Sequence, residues 1–370
     1  MTQNSSMTFP AFSPSQQLEP ITTGAEPEVV GPLLARVLHD PRWQECQVAL
    51  ISGGRSNLTY RVGCDAGEVV LRRPPLGHVL PTAHDMAREY RVQSALAGSG
   101  VPVPRTLYLA ASADDSPLGS PFYLMERVVG HICRTELPPG YAETPPERAA
   151  IGEALVATLA RLHAIDPAQA GLADFGRPEG YLERQLRRWS RQWDSTKVDD
   201  LPALDALRDE LAATLPTSRP AAIVHGDFRI DNTILHPTRP GQIAAVLDWE
   251  MSTLGDPLAD LGTTLAYWGQ ADDDEVLSAA RIQPPVTATA PGFPTRREVI
   301  QRYAEITGFD VSLIGWYQAF ALFRLAIICQ GIAARAAGGA MLGSGFDEYQ
   351  GLVEPFVRAS QHMLDGHADG

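Results

Sequence analysis

Lysine is almost missing from this chain: Lys197 is the only one in 370 residues. Any phosphate the protein grips is therefore met by arginine, whose guanidinium is planar, longer than an ammonium and always charged. Cysteine is also scarce. Cys46, Cys64, Cys133 and Cys329 stand far apart with no CxxC pair, which argues against a zinc site or a disulfide framework and leaves them as small core residues. The start of the chain lacks a basic segment followed by an apolar one, so no secretory signal peptide is read. The most apolar stretch, WYQAFALFRLAIICQGIAA, is interrupted by Arg324 and Gln330, which suits a buried helix better than a membrane span. A cytoplasmic protein without a membrane partner is expected. A net charge of −14 supplies no basic stripe to neutralise phosphates, so nucleic acid is not an expected partner.

What is present is an ordinary globular composition, 44% hydrophobic and 20% charged, with length for about two or three domain-sized units. Residues 1–27, rich in Pro, Ser, Thr and Gln, read as a disordered tail. EVVGPLLARVLHD then places Val30, Leu33, Leu34 and Val37 at helical spacing. QVALIS, LTYRVG and EVVLRR are short, β-rich and separated by glycine-containing turns, which predicts an antiparallel meander. AHDMAREYRVQSALAGSG predicts a helix that stops at glycine, and TLYLAA and PFYLMERVV predict two more strands. Beyond Val128 the character changes: ERAAIGEALVATLARLHAID, YLERQLRRWSRQW and LPALDALRDELAATL are helical by period. The expected fold class is α+β in two lobes. A small antiparallel sheet with one helix occupies 28–127, and a larger, mostly helical lobe occupies 128–370. The stretch from Gln270 to Thr295 is long and irregular enough for a lid or a disordered loop.

Chemistry concentrates in VHGDFRIDN, residues 224–232. A polar turn would use the same Asp and Asn, so the surroundings must decide. AAIV before His225 is an apolar strand, and TILH, PTRPGQ and IAAVLDW after Asn232 read as a hairpin. A turn centred near Pro240 sets Asn232 opposite Asp248. An amide oxygen and a carboxylate at the open end of a hairpin are the hard-oxygen pair that Mg²⁺ accepts while keeping its waters and substrate phosphates. Asp227 lies in the loop that feeds the same strand. One Asp to orient an attacking hydroxyl, with Asn and Asp holding metal against phosphates, is what phosphoryl transfer requires. Upstream, ISGGRSNLTYRV lies between two predicted strands. Gly53 and Gly54 allow a tight turn with exposed N–H groups, and Ser52, Ser56 and Asn57 add donors for phosphate oxygens, although the stretch fits neither GxGxxG nor a Walker pattern. From Ile51 to Arg105 seven arginines stand against four acids, a local excess suited to an anion.

HGDFRIDN and LDWEMSTLGDPLADLG resemble the catalytic and metal motifs of the aminoglycoside phosphotransferase and choline kinase superfamily, over about Val29 to Leu364. The resemblance implies a protein-kinase-like fold, ATP and Mg²⁺ as cofactors, and transfer of the γ-phosphate to a hydroxyl of a small molecule. Asp227 then matches the catalytic base, Asn232 and Asp248 the metal ligands, and Asp260 an acid that braces the catalytic loop. His225 becomes a loop-packing residue, and Glu250 either assists the metal or, the favoured role, anchors a loop. Arg229 stands where many protein kinases carry a lysine that touches the transferred phosphate, a position that a surface arginine would fill equally well. The strand lysine that grips the α and β phosphates is absent; Arg72 matches its position, on the strand face of Val70, with Glu89 as its ion-pair partner. YLMERVVG matches the hinge, where backbone groups near Glu126 to Val128 would pair with adenine.

VLRRPPLGHVLPTAHDMAREYRV, FGRPEGYLERQLRRWSRQW and FRLAIICQGIAAR further resemble the kinase-like amino-terminal domain of acyl-CoA dehydrogenase family members 10 and 11. That likeness implies a 4-hydroxyacyl-CoA or another small hydroxylated acceptor. The alternatives are an aminoglycoside or amino-alcohol kinase and a nucleotide-binding pseudokinase without turnover. Arg184, Arg187, Arg188 and Arg191 form a basic helix face opposite Leu182, Leu186, Trp189 and Trp193, which could meet CoA phosphates but reads first as a solvated amphipathic helix. Arg324, inside an apolar helix, could bind a substrate carboxylate or phosphate, but a buried ion pair is the first expectation.

Overall fold

The computed structural model describes residues 23–51, 57–76, 84–197, 200–337 and 347–366. Ser52, Gly53, Gly54 and Ser56, expected to cover phosphates, lie outside the described residues, as does most of the expected tail. The chain divides into two compact units. The first takes residues up to Gly130 together with Ala244–Glu250; the second takes His131–Ile243 and Met251 onward. The sequence boundary at 127 and 128 gives no sign of that short returning segment.

The first unit opens on helix α1 (Pro27–Val37), started by a proline whose missing N–H costs nothing at a helix N-terminus. Order begins before it. Ala25 is fully buried, Tyr60 donates its hydroxyl to the Thr23 carbonyl at 2.6 Å, and Arg73 donates to the Gly24 carbonyl, so the stretch 23–27 is docked rather than part of a loose tail. Strands β1 (Gln47–Leu50), β2 (Leu58–Cys64) and β3 (Gly67–Arg73), helix α2 (Met86–Leu96), and strands β4 (Thr106–Ala110) and β5 (Phe122–Glu126) follow. The sheet order is β1-β2-β3-β5-β4, antiparallel throughout. The period of two sorts its side chains. Tyr60, Val62, Val69, Leu71, Phe122 and Leu124 join the α1 residues and Trp43 in one core, while Val70, Tyr123 and Met125 meet Met86 on the other face. Each such side chain removed from water stabilises the unit by roughly 1.5–3 kcal/mol. The second face also carries Arg72, so strand periodicity alone directs it toward α2.

The second unit is mostly helical: α3 (Pro145–His163), α4 (Tyr181–Thr196), α5 (Pro202–Ala213), α6 (Pro257–Ala266), α7 (Glu275–Ala279), α8 (Val286–Thr289), α9 (Arg296–Thr307), α10 (Ile314–Ala337) and α11 (Asp347–Leu364). Capping boxes start α3 at Thr144 and Glu147 and α9 at Thr295 and Glu298. Short strands interrupt the helices: β6 (Ala222–Val224), β7 (Thr233–Leu235), β8 (Ile243–Val246), which passes into the returning segment of the first unit, and β9 (Thr253–Gly255), with β6 antiparallel to β9. The turn after β7 closes when the His236 N–H donates to the Gln242 carbonyl at 2.9 Å. Its centre is therefore Arg239, one residue before the expected Pro240. Helix α10 is long and apolar enough by composition to cross a membrane, yet Phe323, Ala326, Ile327 and Cys329 are fully buried in packing against α6 and α11. The stretch from Gln270 to Thr295, expected to be a lid or a disordered loop, is instead pinned. Asp273 takes ion pairs from Arg281 and Arg296, the Val286 N–H donates to the Arg134 carbonyl at 2.9 Å, and the Trp268 indole N–H donates to the Pro294 carbonyl at 2.8 Å.

Candidate active site

In the first unit, the last residues of β3, the middle of α2 and the returning segment converge on Glu89. This carboxylate, 1% exposed, accepts from Arg72 Nε at 2.9 Å, Asn57 Nδ2 at 2.8 Å and the Tyr123 hydroxyl at 3.2 Å. The Arg72 and Glu89 pair expected from the sequence is thus formed. Arg72 extends its Nη2 to Asp248 Oδ1 at 2.5 Å and lies 3.8 Å from Glu250. One guanidinium consequently faces three carboxylates. Burial pushes the Glu89 carboxyl up to about 7; Arg72 opposes that shift, while Asp248 and Glu250 add to it. Burial disfavours the Arg72 charge, but the carboxylates, Glu89 foremost, outweigh it and hold the guanidinium firmly protonated.

Asn57 departs from expectation. Its amide is buried, with its N–H groups on Glu89 and on Glu250 Oε2 at 3.1 Å and its oxygen 2.7 Å from His84 Nδ1. A side chain so engaged fixes the cluster and has no donor left for a phosphate. Glu250 takes one of these bonds and so ties the returning segment to the cluster. Asp248 sits at φ 65°, a left-handed conformation that Asp tolerates better than most residues and that recurs at functional sites. At the expected hinge, the Glu126 N–H already donates to the Arg105 carbonyl at 2.8 Å, and Val128 follows the strand end, half-buried.

In the second unit, the loop between β6 and β7 carries Asp227, Arg229 and Asn232. Its backbone is clamped from α6. Asp260, 2% exposed, accepts the His225 N–H at 2.6 Å and the Gly226 N–H at 2.8 Å, and lies 3.2 Å from His163 Nε2. The Tyr303 hydroxyl is 2.6 Å from His163 Nδ1, so an ionised Asp260 assigns the imidazole proton to Nε2. Burial would raise the Asp260 carboxyl, but the His163 bond, the neighbouring imidazoles and the His225 N–H hold it below the usual carboxylate range. Gly226, at φ 85°, lies so close to Met251 that a Cβ would approach its atoms to 2.8 Å; only glycine lets the loop make this turn. His225 is fully buried and meets Phe228 edge to face, as a loop-packing residue should.

The clamp leaves Asp227 presented on the loop. Its carboxylate accepts from Asn232 Nδ2 at 2.8 Å and Arg229 Nε at 3.2 Å. The same Asn232 amide donates to the Asp227 carbonyl at 2.9 Å, which leaves the amide oxygen as the Asn232 group suited to a cation. Arg229 is half-buried. It also pairs with Asp231 at 2.9 Å and lies 4.6 Å over the Tyr267 ring. Desolvation works against its charge, but Asp227, Tyr267 and Asp231 prevail and keep it protonated. A carboxylate fixed by an amide and flanked by a guanidinium is an arrangement that can orient a hydroxyl and attract an anion. Asp248 belongs to the first unit and Asn232 to the second.

The family model for the phosphotransferase enzyme family matches residues 47–290, spanning both β3 and the Asp227 loop. The chain belongs to this family. Among its relatives, the mouse acyl-CoA dehydrogenase family member 10 is 38% identical over 287 residues, covering 77% of this chain and 26% of the relative. The human acyl-CoA dehydrogenase family member 11 is 34% identical over 325 residues, covering 85% and 40%. The chain therefore spans well under half the length of these curated relatives. A candidate aminoglycoside phosphotransferase of Ralstonia eutropha, solved by crystallography, is 31% identical with a TM-score of 0.76, over 92% of this chain and 98% of that one. An aminoglycoside phosphotransferase in complex with ADP and hygromycin B has a TM-score of 0.57 at 15% identity, over 91% and 98%, a likeness of fold alone. The kinase-like α+β fold read from the motifs is thereby established, and nucleotide use goes with the family.

Sequence reasoning missed several contributors to the site. Tyr123 and His84, which complete the Glu89 and Asn57 network, looked like an ordinary strand aromatic and the start of a predicted helix. His163 and Tyr303, which support Asp260, lie on helices far away in the chain. The one available signal was a polar His near the end of the apolar face of α3. Arg324 was expected in an ion pair, but no carboxylate among the described residues pairs with it. Its Nη1 reaches Thr263 Oγ1 at 3.3 Å, and its guanidinium lies 5.3 Å from the Trp189 ring. On α4, Leu182, Leu186, Trp189 and Trp193 are buried and Arg187, Arg188 and Arg191 exposed, as the amphipathic reading required. Arg184 is half-buried and donates to the Glu179 and Arg177 carbonyls.

Proposed function

We propose that this family member is an ATP- and Mg²⁺-dependent O-phosphotransferase that moves a γ-phosphate to the hydroxyl of a small molecule, with a 4-hydroxyacyl-CoA as the foremost acceptor. The observation that carries the reading is Asp227, held at 2.8 Å by Asn232 on a loop whose backbone is fixed by buried Asp260. In this role Asp227 orients the acceptor hydroxyl and takes its proton, while Arg229 meets the charge of the transferred phosphate. Arg72, set by Glu89, would hold the α and β phosphates. The backbone beyond Glu126, near Val128, would meet adenine, and Ser52, Gly53, Gly54 and Ser56 are proposed to cover the phosphates. The donor chemistry fits Mg²⁺. Asp248 and the Asn232 amide oxygen are hard ligands, and a protein offering only two of them leaves room for waters and phosphates. When bound, the cation would neutralise charge on the β and γ phosphates. The acyl-CoA preference draws on the names of the relatives, both acyl-CoA dehydrogenase family members.

Two other readings have an observation behind them. The name of the Ralstonia relative favours an aminoglycoside or amino-alcohol kinase. The Arg72 contact with Asp248 at 2.5 Å favours a pseudokinase, because a guanidinium then occupies a carboxylate that a metal would need. ADP release measured across hydroxyacyl-CoAs, amino alcohols and aminoglycosides separates the three. Turnover on hydroxyacyl-CoAs supports the leading reading, turnover on cationic acceptors alone the second, and nucleotide binding without ADP release the third.

A further inference from the structure

Arg324 has no part in the roles assigned above, and its surroundings do not explain it as structure. It projects half-buried from the apolar helix α10, and no acid among the described residues offsets its charge. Its hydrogen bonds are few and long: 3.3 Å to Thr263 Oγ1 and 3.5 Å from Nη2 to the Gly226 carbonyl, against about 2.7–3.2 Å for a good N–H···O bond. Its Nε is buried with no partner among the described residues. The buried acids of α6 are engaged elsewhere: Asp260 holds the loop backbone and His163, and Asp256 accepts from the Tyr317 hydroxyl and from the Leu258 and Arg219 N–H groups.

Its position is more telling than its isolation. Gly226, which Arg324 touches, immediately precedes Asp227. Trp189 lies beneath the guanidinium at 5.3 Å, and Arg188 lies 5.6 Å from the same indole. Two cations thus share one ring, on the same unit as the loop that carries Asp227. An arginine held by an aromatic face and weak neutral acceptors keeps most of its five donors for something else.

We propose that Arg324, supported by Trp189 and Arg188, is a specificity-determining residue that binds an oxyanion of the acceptor beside Asp227. This rests on the phosphotransferase reading and narrows it: the acceptor carries negative charge. The oxyanion comes either from a carboxylate on the acceptor itself or from a phosphate on its carrier. A polycationic aminoglycoside would meet repulsion at this point.

The test compares three acceptors with the full chain: a free hydroxy acid, its CoA thioester, and its pantetheine thioester, which has neither the carboxylate nor the nucleotide phosphates. Dissociation constants are measured by calorimetry and kcat/KM by ADP release. Arg324→Met is expected to weaken binding of at least one anionic acceptor by about 10- to 100-fold, the loss that goes with a charge-assisted bond, while the pantetheine thioester changes less than about threefold. Loss confined to the free acid identifies the carboxylate; loss confined to the CoA thioester identifies the carrier phosphate. Equal loss on all three, no loss on any, or a wild-type protein that binds neither anionic acceptor overturns the proposal. Should Arg324-dependent binding occur without ADP release, the oxyanion site stands and the phosphotransferase reading falls. If Arg324→Met does not fold, Arg324→Lys, which keeps the charge without the planar fork, decides by the same comparison.

Discussion

At Glu89 two demands collide, since the residue must be buried to hold Arg72 and must be charged to attract it. Its carboxyl sits at about 7 against an ordinary 4.5, so the folded chain holds this proton more tightly than the unfolded one. The stability this group contributes is full below pH 4.5 and is lost as pH rises through 7. The melting temperature of the wild type should therefore fall across that window relative to Glu89→Gln, which cannot titrate there; parallel melting curves against pH would refute the assignment. For Asp227, replacement by Ala should lower kcat by about 10² to 10⁴, the range for a positioned general base, with circular dichroism unchanged. Activity retained in that variant would remove Asp227 from its role. Asp227 stood out in the sequence through the charged cluster behind a single glycine, whereas Glu89 entered through the family resemblance, with the strand period adding only that Arg72 shares a face with Val70. Asn57 was misread because its spacing fits a phosphate turn equally well, and only burial reveals that its amide faces two carboxylates.

Elements show a different balance. The strands and most helices were legible because their hydrophobic periods are clean, and the antiparallel meander of β1 to β3 has only one reasonable pairing. The stretch from Gln270 to Thr295 was not, because what orders it is one acid meeting two arginines together with ties to Arg134 and Trp268 that no local pattern announces. Asp273 is 1% exposed at its side chain and pairs with Arg281 and Arg296. Asp273→Ala should leave two cations without their anion and cost about 3 kcal/mol or more, seen as a fall in the urea midpoint and faster proteolysis within this stretch. A midpoint unchanged from wild type would mean that α7 and α8 are held without Asp273. The loop between β6 and β7 makes the opposite case, for its constraint is backbone geometry. Gly226→Ala combines a positive φ with a Cβ 2.8 Å from Met251, and the strain, of order 1–3 kcal/mol, should move the Asp227 loop. The expected readout is a kcat loss larger than the loss in melting temperature would suggest.

On the scale of the whole molecule, a ligand that binds only the folded chain adds stability by mass action, about 2.7 kcal/mol at a concentration 100 times its Kd. ATP with Mg²⁺ should raise the melting temperature, and EDTA should remove most of that increase. Asp248→Asn should reduce the EDTA-sensitive part in particular, whereas an undiminished Mg²⁺ response would exclude Asp248 as a ligand.

The returning segment Ala244–Glu250 brings Asp248 and Glu250 into the first unit, and its Val246 N–H donates to the Pro102 carbonyl at 2.8 Å. A recombinant fragment cut at Gly130 would thus lack two of the three acids around Arg72 and one of its own backbone ties. Expressing this half of the protein calls for a graft: a short linker after Gly130 that restores those seven residues, or a synthetic peptide supplied in trans whose binding can itself be titrated.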